Sequence, residues 1–134
     1  VKDVDFGRCE LTVRHGEGGK DRVTMLPSKL AKPLDRQLQR NRLVHNRDLA
    51  DGYGAVSLPY ALERKYRNAP KEWGWQYVFL ASKRSADPRD GQIKRHHIDP
   101  SVLQKSVKRS VREAGLTKPA SCHSLRHWFA THLL

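Results

Sequence analysis

The residues best suited to chemistry lie near the carboxyl end of this sequence, where His123 and Arg126 are three positions apart. Residues at this spacing lie on one face of a helix, one turn above the other. A guanidinium is a rigid, permanently charged fork that fits two phosphate oxygens, and an imidazole can hydrogen-bond or move a proton near neutral pH. The pair therefore suits an enzyme that attacks a phosphodiester.

The helix that must position this pair is predicted to begin near Cys122. Ser121 is a suitable N-cap residue, because its side-chain oxygen can accept a hydrogen bond from a backbone amide of the first turn. This cap places His123 in the first turn, where backbone N–H groups without partners also favour a phosphate.

Three histidines of the same region, His123, His127 and His132, leave a second chemistry open. His123 and His127 have the i, i+4 spacing of helical zinc ligands, so a metal-dependent nuclease or hydrolase is an alternative. No adjacent glutamate supplies a general base, however, and Arg126 is an unfavourable neighbour for a cation. We therefore expect no metal, and we expect packing or hydrogen-bonding roles for His127 and His132.

Composition points to a polyanionic partner. The 134 residues include 26 lysines and arginines against 14 acidic residues, which gives a net charge of +12 and a pI near 10.2. Nucleic acid is the usual partner of so basic a chain, and a ribosomal or other RNA-binding protein would explain the charge alone. No apolar run reaches the roughly 18–20 residues that span a bilayer, and no signal peptide is visible. The two cysteines are too few for a disulfide framework, so we expect one domain in a reducing, intracellular compartment.

The pattern of residue types predicts an α+β fold, mainly helical, with a small antiparallel sheet (hairpin 10–26) at the N-terminal end. Residues 10–14 and 22–26 are typical of strands, the glycine-dense stretch 15–21 joins them, and residues 4–6 are a possible third strand. Helices are predicted at 33–49, with Pro33 in the first turn, at about 59–67, at 99–115 and from about 122 onward. Residues 81–98 are predicted to be a loop with a turn at 87–91.

Three sequence motifs occur in the order in which a known protein family has them, and the sequence resembles that family for this reason. His123-Ser-Leu-Arg126-His127 followed by Phe-Ala-Thr-His-Leu-Leu resembles the second catalytic box of the tyrosine recombinases, the family of phage and integron integrases. Residues 15–22 are similar to that family's Gly-Lys-Gly-x-Lys-x-Arg hairpin, and residues 1–6 to the segment after its first arginine helix. The resemblance makes residues 1–134 a partial catalytic domain.

The resemblance implies site-specific DNA recombination through a 3′-phosphotyrosyl intermediate, with no metal or nucleotide cofactor. Arg126 would hold the scissile phosphate, and His123 would hydrogen-bond it and assist proton transfer. Glu17 stands where the family usually has its catalytic hairpin lysine, which leaves Lys20 as the candidate substitute. Arg22 would contact DNA, and the hairpin loop would face His123 and Arg126 across a basic groove.

A segment at about 45–80 is similar to an insert typical of integron integrases, and Arg95-His96-His97 matches that subgroup. In that subgroup such residues engage unpaired bases that bulge from a folded single-stranded site. Flat side chains suit this task, since one stacked base contributes about 1–3 kcal/mol. The DNA-binding candidates are Arg95, His96, His97, Trp73 and Trp75, with a packing role equally open for Trp75 and Tyr77.

The implied partners are double-stranded DNA and folded single-stranded recombination sites, with self-association as a recombinase tetramer in the full-length protein. No membrane partner is expected. The implied location is the bacterial cytoplasm, on the nucleoid when bound.

By the resemblance, the first-box arginine would precede Val1, and the nucleophilic tyrosine would follow Leu134. The four tyrosines, at positions 53, 60, 66 and 77, all precede the His-x-x-Arg box, which is the wrong order for the nucleophile. We therefore expect this chain alone to be inactive in DNA cleavage. The alternative is a DNA-binding module without catalytic activity, which Glu17 favours because a carboxylate cannot replace an ammonium group beside phosphate.

Overall fold

The computed structural model describes residues 1–59 and 61–132, with the backbone alone at Glu17. The chain divides into two compact units, Val1–His97 and Ile98–Leu134, each described by itself below. The α+β prediction is confirmed, since helices dominate and a small antiparallel sheet lies at the N-terminal end. Of the described helices, none combines the length and apolar character that crossing a bilayer requires.

The N-terminal sheet has three antiparallel strands in the order β1-β2-β3: β1 is Val4–Asp5, β2 is Glu10–Val13 and β3 is Arg22–Met25. The predicted hairpin is thus confirmed, with Val13 opposite Arg22 next to the loop and Glu10 opposite Met25 at the far end. The possible strand at 4–6 is present as β1.

Between β2 and β3 the loop is held by Asp21. Its carboxylate accepts hydrogen bonds from the His15 amide at 3.0 Å and from the Arg14 guanidinium at 2.9 Å, and these bonds lower its pKa. Residues Glu17–Gly19 form one 3-10 turn, in which Gly18 and Gly19 have φ of 78° and 73°. Only glycine adopts such φ values without strain, so the glycine-rich composition serves the turn.

Helix α1 runs from Ser28 to Ala50, and the predicted start at Pro33 is wrong. Pro27, with φ −57° and ψ 130°, stands immediately before the helix. Pro33 therefore lies inside α1, where it lacks the N–H that would bond to the carbonyl of residue 29. Packing of the α1 inner face, where Leu38 is buried, offsets this loss.

The predicted helix at about 59–67 is shorter in the structure, where α2 spans Leu62–Lys65 and two 3-10 turns follow at Ala69–Lys71 and Trp73–Trp75. Prolines and glycines interrupt this stretch, and among its described residues no helix is longer than α2; residue 60 of the predicted helix lies outside the described residues. The small core of the first unit lies here, built from Val56, Leu58 and Ala69 with Leu62, Trp75 and Tyr77 packed against it.

The loop predicted at 81–98 contains a short hairpin, so that prediction is wrong in part. Strand β4 (Ser85–Ala86) pairs antiparallel with β5 (Ile93–Lys94), and the predicted turn at 87–91 joins them. The backbone carbonyl of Asp87 accepts a hydrogen bond from the Gly91 amide at 2.7 Å, and this bond closes the turn.

The second unit consists of two helices. Helix α3 (Pro100–Glu113) is capped by Asp99, whose carboxylate accepts from the Ser101 amide at 2.7 Å, and Gly115 follows it with φ 64°. Helix α4 spans Cys122–His132. Both predicted helices and the terminating role of Gly115 are confirmed. The last two residues of the final predicted helix, 133 and 134, lie outside the described residues.

Candidate nucleic-acid interface

The N-terminus of α4 is fixed by a reciprocal pair of serines. Ser121 Oγ accepts a hydrogen bond from the Ser124 amide at 3.3 Å, and Ser124 Oγ accepts from the Ser121 amide at 3.3 Å. This is the N-cap expected from the sequence, with a serine completing the capping box. Because the cap sets where the helix starts, His123 lies in its first turn and Arg126 one turn further along the same face.

An open groove of about 480 Å³ lies against this helix start. Its lining comes from both helices of the second unit: Gln104, Lys108, Ser121, Cys122, His123 and Arg126. The structure therefore brings His123 and Arg126 to one groove and adds a second cation, Lys108. Neither Lys108 nor Gln104 was a candidate site residue in the sequence.

The electrostatics of the groove favour an anion. Lys108 and Arg126 are basic side chains, and the first turn of α4 adds backbone N–H groups with the positive end of the helix dipole. Both side chains are exposed, so an incoming anion can reach them. The groove lining includes several hydrogen-bond donors and, among the described residues, no acidic side chain. Such a lining suits a phosphate oxygen better than a cation.

His123 has a direct neighbour in His127. Their Nε2 atoms are 2.8 Å apart, and the rings meet edge to face with centroids 4.3 Å apart. His132 contacts Trp128 instead: its Nδ1 lies 3.0 Å from the Trp128 carbonyl, and the two rings stack. Within residues 1–59 and 61–132, no group of three or more metal-ligating side chains is found.

The hairpin residues Lys20 and Arg22 belong to the other unit. Lys20 is exposed, and its carbonyl accepts a hydrogen bond from the Gly16 amide at 3.1 Å, which closes the loop at its base. Arg22 is exposed at the start of β3. The side chain of Glu17 lies outside what the structure describes. The roles of all three at DNA stay predictions.

Arg95 makes internal contacts that the sequence did not indicate. Its guanidinium donates to both carboxylate oxygens of Asp48 at 2.6 and 2.9 Å and to the carbonyls of Ala81 and Ser82 at 3.0 and 2.9 Å. The bond from Arg95 lowers the pKa of Asp48. These contacts tie residue 95 to α1, and a role at DNA stays a prediction.

The two histidines after Arg95 have different surroundings. His96 is half-buried, and its Nε2 has no hydrogen-bond partner among the described residues. His97 is exposed, and its ring meets Tyr77 edge to face with centroids 5.4 Å apart. Of the two, His97 offers more surface to a base.

Trp73 and Trp75 are both half-buried, and each has a cation over its ring. The guanidinium of Arg42 lies 4.8 Å from the Trp73 ring centroid, and the ammonium of Lys2 lies 3.0 Å from that of Trp75. Trp75 also packs against the core formed by Val56, Leu58 and Ala69, as does Tyr77. Packing is therefore one role of Trp75 and Tyr77, as the sequence left open.

The fold and the groove define an α+β protein with a cationic recess suited to phosphate at the start of a capped helix. The model of the phage integrase family matches residues 1–134, and the chain belongs to that family. Relatives named integrase/recombinase from Escherichia coli and Pseudomonas aeruginosa are each 49% identical over the whole chain, which is 40% of their length. A relative named tyrosine recombinase XerA from Pyrococcus furiosus is 26% identical over the whole chain and 33% of its own length. The chain thus spans less than half of these relatives.

Proposed function

We propose that this chain is part of the catalytic domain of a tyrosine recombinase and that the α4 groove binds the scissile phosphate of DNA. Arg126 grips the phosphate, His123 hydrogen-bonds it, and Lys108 adds charge to the groove. The reaction is site-specific recombination through a 3′-phosphotyrosyl link, which needs no metal or nucleotide cofactor. In its full-length form the protein works as a tetramer on the bacterial nucleoid.

One observation carries this proposal: His123 and Arg126 line a single cationic groove at the capped N-terminus of α4. Family membership supports the reaction class, and relatives named integrase/recombinase support recombination as the process. Positioned arginines stabilise the charge that develops on a phosphorane in the transition state, and that is the chemistry this site offers.

Arg126→Ala tests the groove directly. We expect the variant to bind a fluorescein-labelled DNA duplex about tenfold more weakly at fixed salt, because a bidentate contact to phosphate is lost. Arg109→Ala is the matched control, since Arg109 is an exposed cation on α3 that does not line the groove. Fluorescence anisotropy measures both affinities. Equal losses in the two variants would show that general charge, and not the groove, holds the DNA.

We further propose the integron-type substrate, a folded single strand with extrahelical bases. The exposed ring of His97 beside Tyr77 supports it. We expect His97→Ala to weaken binding to a hairpin with a bulged base several-fold and to leave a fully paired hairpin unaffected. His132→Ala serves as a control. Parallel losses on both hairpins would argue against base recognition.

The catalytic nucleophile gives a separate test. No tyrosine follows Arg126 in the sequence. We therefore expect this chain to form no covalent adduct when it is incubated with a nicked or folded single-stranded site and run on a denaturing gel. A tyrosine-linked adduct would overturn the order of functional parts on which the proposal rests.

A DNA-binding module without catalytic activity is the second candidate. Glu17 favours it, because a carboxylate at the usual lysine position cannot donate a proton as an ammonium does and repels phosphate. The two candidates differ in the longer protein: the enzyme needs an arginine helix before this segment and a tyrosine after it. Sequencing the gene on both sides, followed by a cleavage assay, decides between them.

A further inference from the structure

The contact between His123 and His127 determines which nitrogen of His123 faces a ligand. The two Nε2 atoms are 2.8 Å apart, which is hydrogen-bond distance, and the rings meet edge to face at 87°. Such a contact holds only when one nitrogen carries a proton and the other offers a lone pair. The contact therefore uses the Nε2 of His123 and leaves its Nδ1 as the nitrogen available to the groove.

The chemistry of the ligand then decides the direction of the bond. Phosphate oxygens at neutral pH are acceptors, so His123 must present an N–H to them. If a neutral His123 ring donated its Nε2–H to His127, its Nδ1 would be a bare lone pair and would repel the phosphate. If His127 donates instead, the proton of His123 stays on Nδ1, and that N–H can bind a phosphate oxygen.

We propose that His127 is a positioning residue that donates its Nε2–H to His123 and so holds His123 as the Nδ1–H tautomer that binds phosphate. This inference rests on the proposed function of the groove. His127 is exposed and is not among the residues that line the groove, so it acts through His123. The partner of one ring nitrogen fixes the tautomer of the ring, as in other histidine sites.

The groove geometry agrees with this division of labour. Ser121 and Ser124 fix the start of α4, and the one-turn spacing of His123 and His127 brings the rings together. Arg126 lies between them in sequence and lines the groove beside His123. One helical turn thus carries the two groups that contact phosphate and the group that orients one of them.

His127→Ala, His127→Gln and the control His132→Ala test the proposal. Long-range ¹H–¹⁵N NMR at about pH 8, where an ordinary imidazole is neutral, reports which ring nitrogen of His123 bears the proton. We expect the proton on Nδ1 in the unmodified chain and in His132→Ala, and a mixture of tautomers in His127→Ala. His127→Gln restores the Nδ1–H form, because the glutamine amide can donate from a similar position.

DNA affinity supplies the functional readout. We expect His127→Ala to weaken duplex binding by about three- to tenfold, the worth of one ordinary hydrogen bond, because only part of the His123 population then presents the wrong nitrogen. The double variant with His123→Ala should bind no more weakly than His123→Ala alone, since both remove the same contact. Circular dichroism checks that α4 stays helical in each variant.

The outcomes separate the two proposals. A His123 ring with its proton on Nε2, or a His127→Ala variant that binds as the unmodified chain while Arg126→Ala binds weakly, overturns the positioning role and leaves the groove intact. If His123→Ala and Arg126→Ala both bind as the unmodified chain, the proposed function of the groove itself fails.

Discussion

Asp48 is the anchor of the first unit at the level of single residues. Its side chain is 5% exposed and accepts a bidentate pair of bonds from Arg95, with Arg84 at 3.4 Å as a second cation. Removing one partner of a buried ion pair leaves the other charge without compensation, which costs far more than the pair contributes. The segment around residue 95 therefore depends on one carboxylate of α1.

Asp48→Asn should lower the free energy of unfolding by about 3 kcal/mol, the lower end for a broken buried pair, because Arg95 keeps its two carbonyl acceptors. Urea denaturation followed by circular dichroism measures the loss. Asp35→Asn is the control, since Asp35 is exposed on the same helix and accepts only from Gln39 in the described structure. We expect that variant to stay within about 0.5 kcal/mol of the unmodified chain. Equal effects of the two changes would contradict a buried anchor.

A second carboxylate predicts the acid behaviour of the same unit. Hydrogen bonds from Ser57 and from the Arg89 amide, with Lys94 nearby, lower the pKa of Asp87 to about 2. A carboxyl whose pKa is lower in the folded state stabilises the fold above its unfolded pKa of about 4. That stabilisation is lost progressively as the pH falls from about 4 to about 2.

Ser57→Ala removes the largest cause of that shift, so the unfolding free energy of the variant should fall less steeply between about pH 4 and pH 2. Urea titrations at a series of pH values give the slope. The substitution also removes the bond from Lys94 to Ser57 Oγ, but it leaves both members of the Lys94–Asp90 pair in place. Identical slopes for the two proteins would show that Ser57 does not set the pKa of Asp87.

Comparison of the groove residues with the Arg95–Asp48 pair shows which side-chain contacts can be predicted from sequence. His123 and Arg126 are three apart on one helix, so their proximity follows from helix geometry alone. Arg95 and Asp48 are 47 residues apart, and no local pattern predicts their ion pair. The contribution of Lys108 to the groove could not be predicted either, because it depends on how α3 and α4 pack.

At the level of elements, the sequence predicts that helix α1 exists, but it does not predict which face of α1 is buried or which segments that face contacts. Its buried positions are Leu38, Asn41, His45 and Asp48, a helical stripe that is mostly polar. Asn41 donates to the Val78 carbonyl at 2.6 Å, and His45 contacts the Lys71 carbonyl at 3.0 Å. A polar stripe has no apolar periodicity, so the sequence gives no indication that this face is buried.

The small sheet β4–β5 shows the opposite limit. Each strand has two residues, and a two-residue strand has too few positions for an alternating pattern. The turn between them was predictable, because Asp-Pro and Asp-Gly pairs favour turns by their own backbone preferences. Local chemistry predicts the turn, and only the packed structure supplies the pairing.

Two glycines after α1 give a matched test of backbone strain. Gly52 and Gly54 have φ of 85° and 91°, where an L side chain is strained by about 1–2 kcal/mol. A Cβ at Gly52 would meet nothing within 4 Å, whereas one at Gly54 would lie 2.7 Å from Leu49 Cδ2. Gly54→Ala should therefore destabilise the protein more than Gly52→Ala, as measured by urea denaturation. Equal losses would mean that Leu49 moves aside without cost.

At the level of the whole molecule, net charge contributes to the proposed DNA binding in a way that does not depend on the DNA sequence. The chain carries 26 lysines and arginines against 14 acidic residues. On α3 the cations Lys105, Lys108, Arg109 and Arg112 are all exposed. Each phosphate that such groups neutralise releases a counterion. The logarithm of the binding constant therefore falls linearly with the logarithm of the salt concentration. By our proposal, net charge provides general affinity for DNA, and the groove provides a defined contact with one phosphate.

Arg126→Lys separates these two contributions, because it keeps the charge and removes the planar fork. We expect the plot of log affinity against log salt for a DNA duplex to keep its slope in this variant and to shift to weaker binding at every salt concentration. Arg126→Ala should weaken binding as well, and it should in addition reduce the magnitude of the slope by about 1, because one phosphate contact is lost. Anisotropy titrations across a range of salt measure both quantities. If Arg126→Lys binds as tightly as the unmodified chain, Arg126 acts as a point charge, and the bidentate grip on phosphate is wrong.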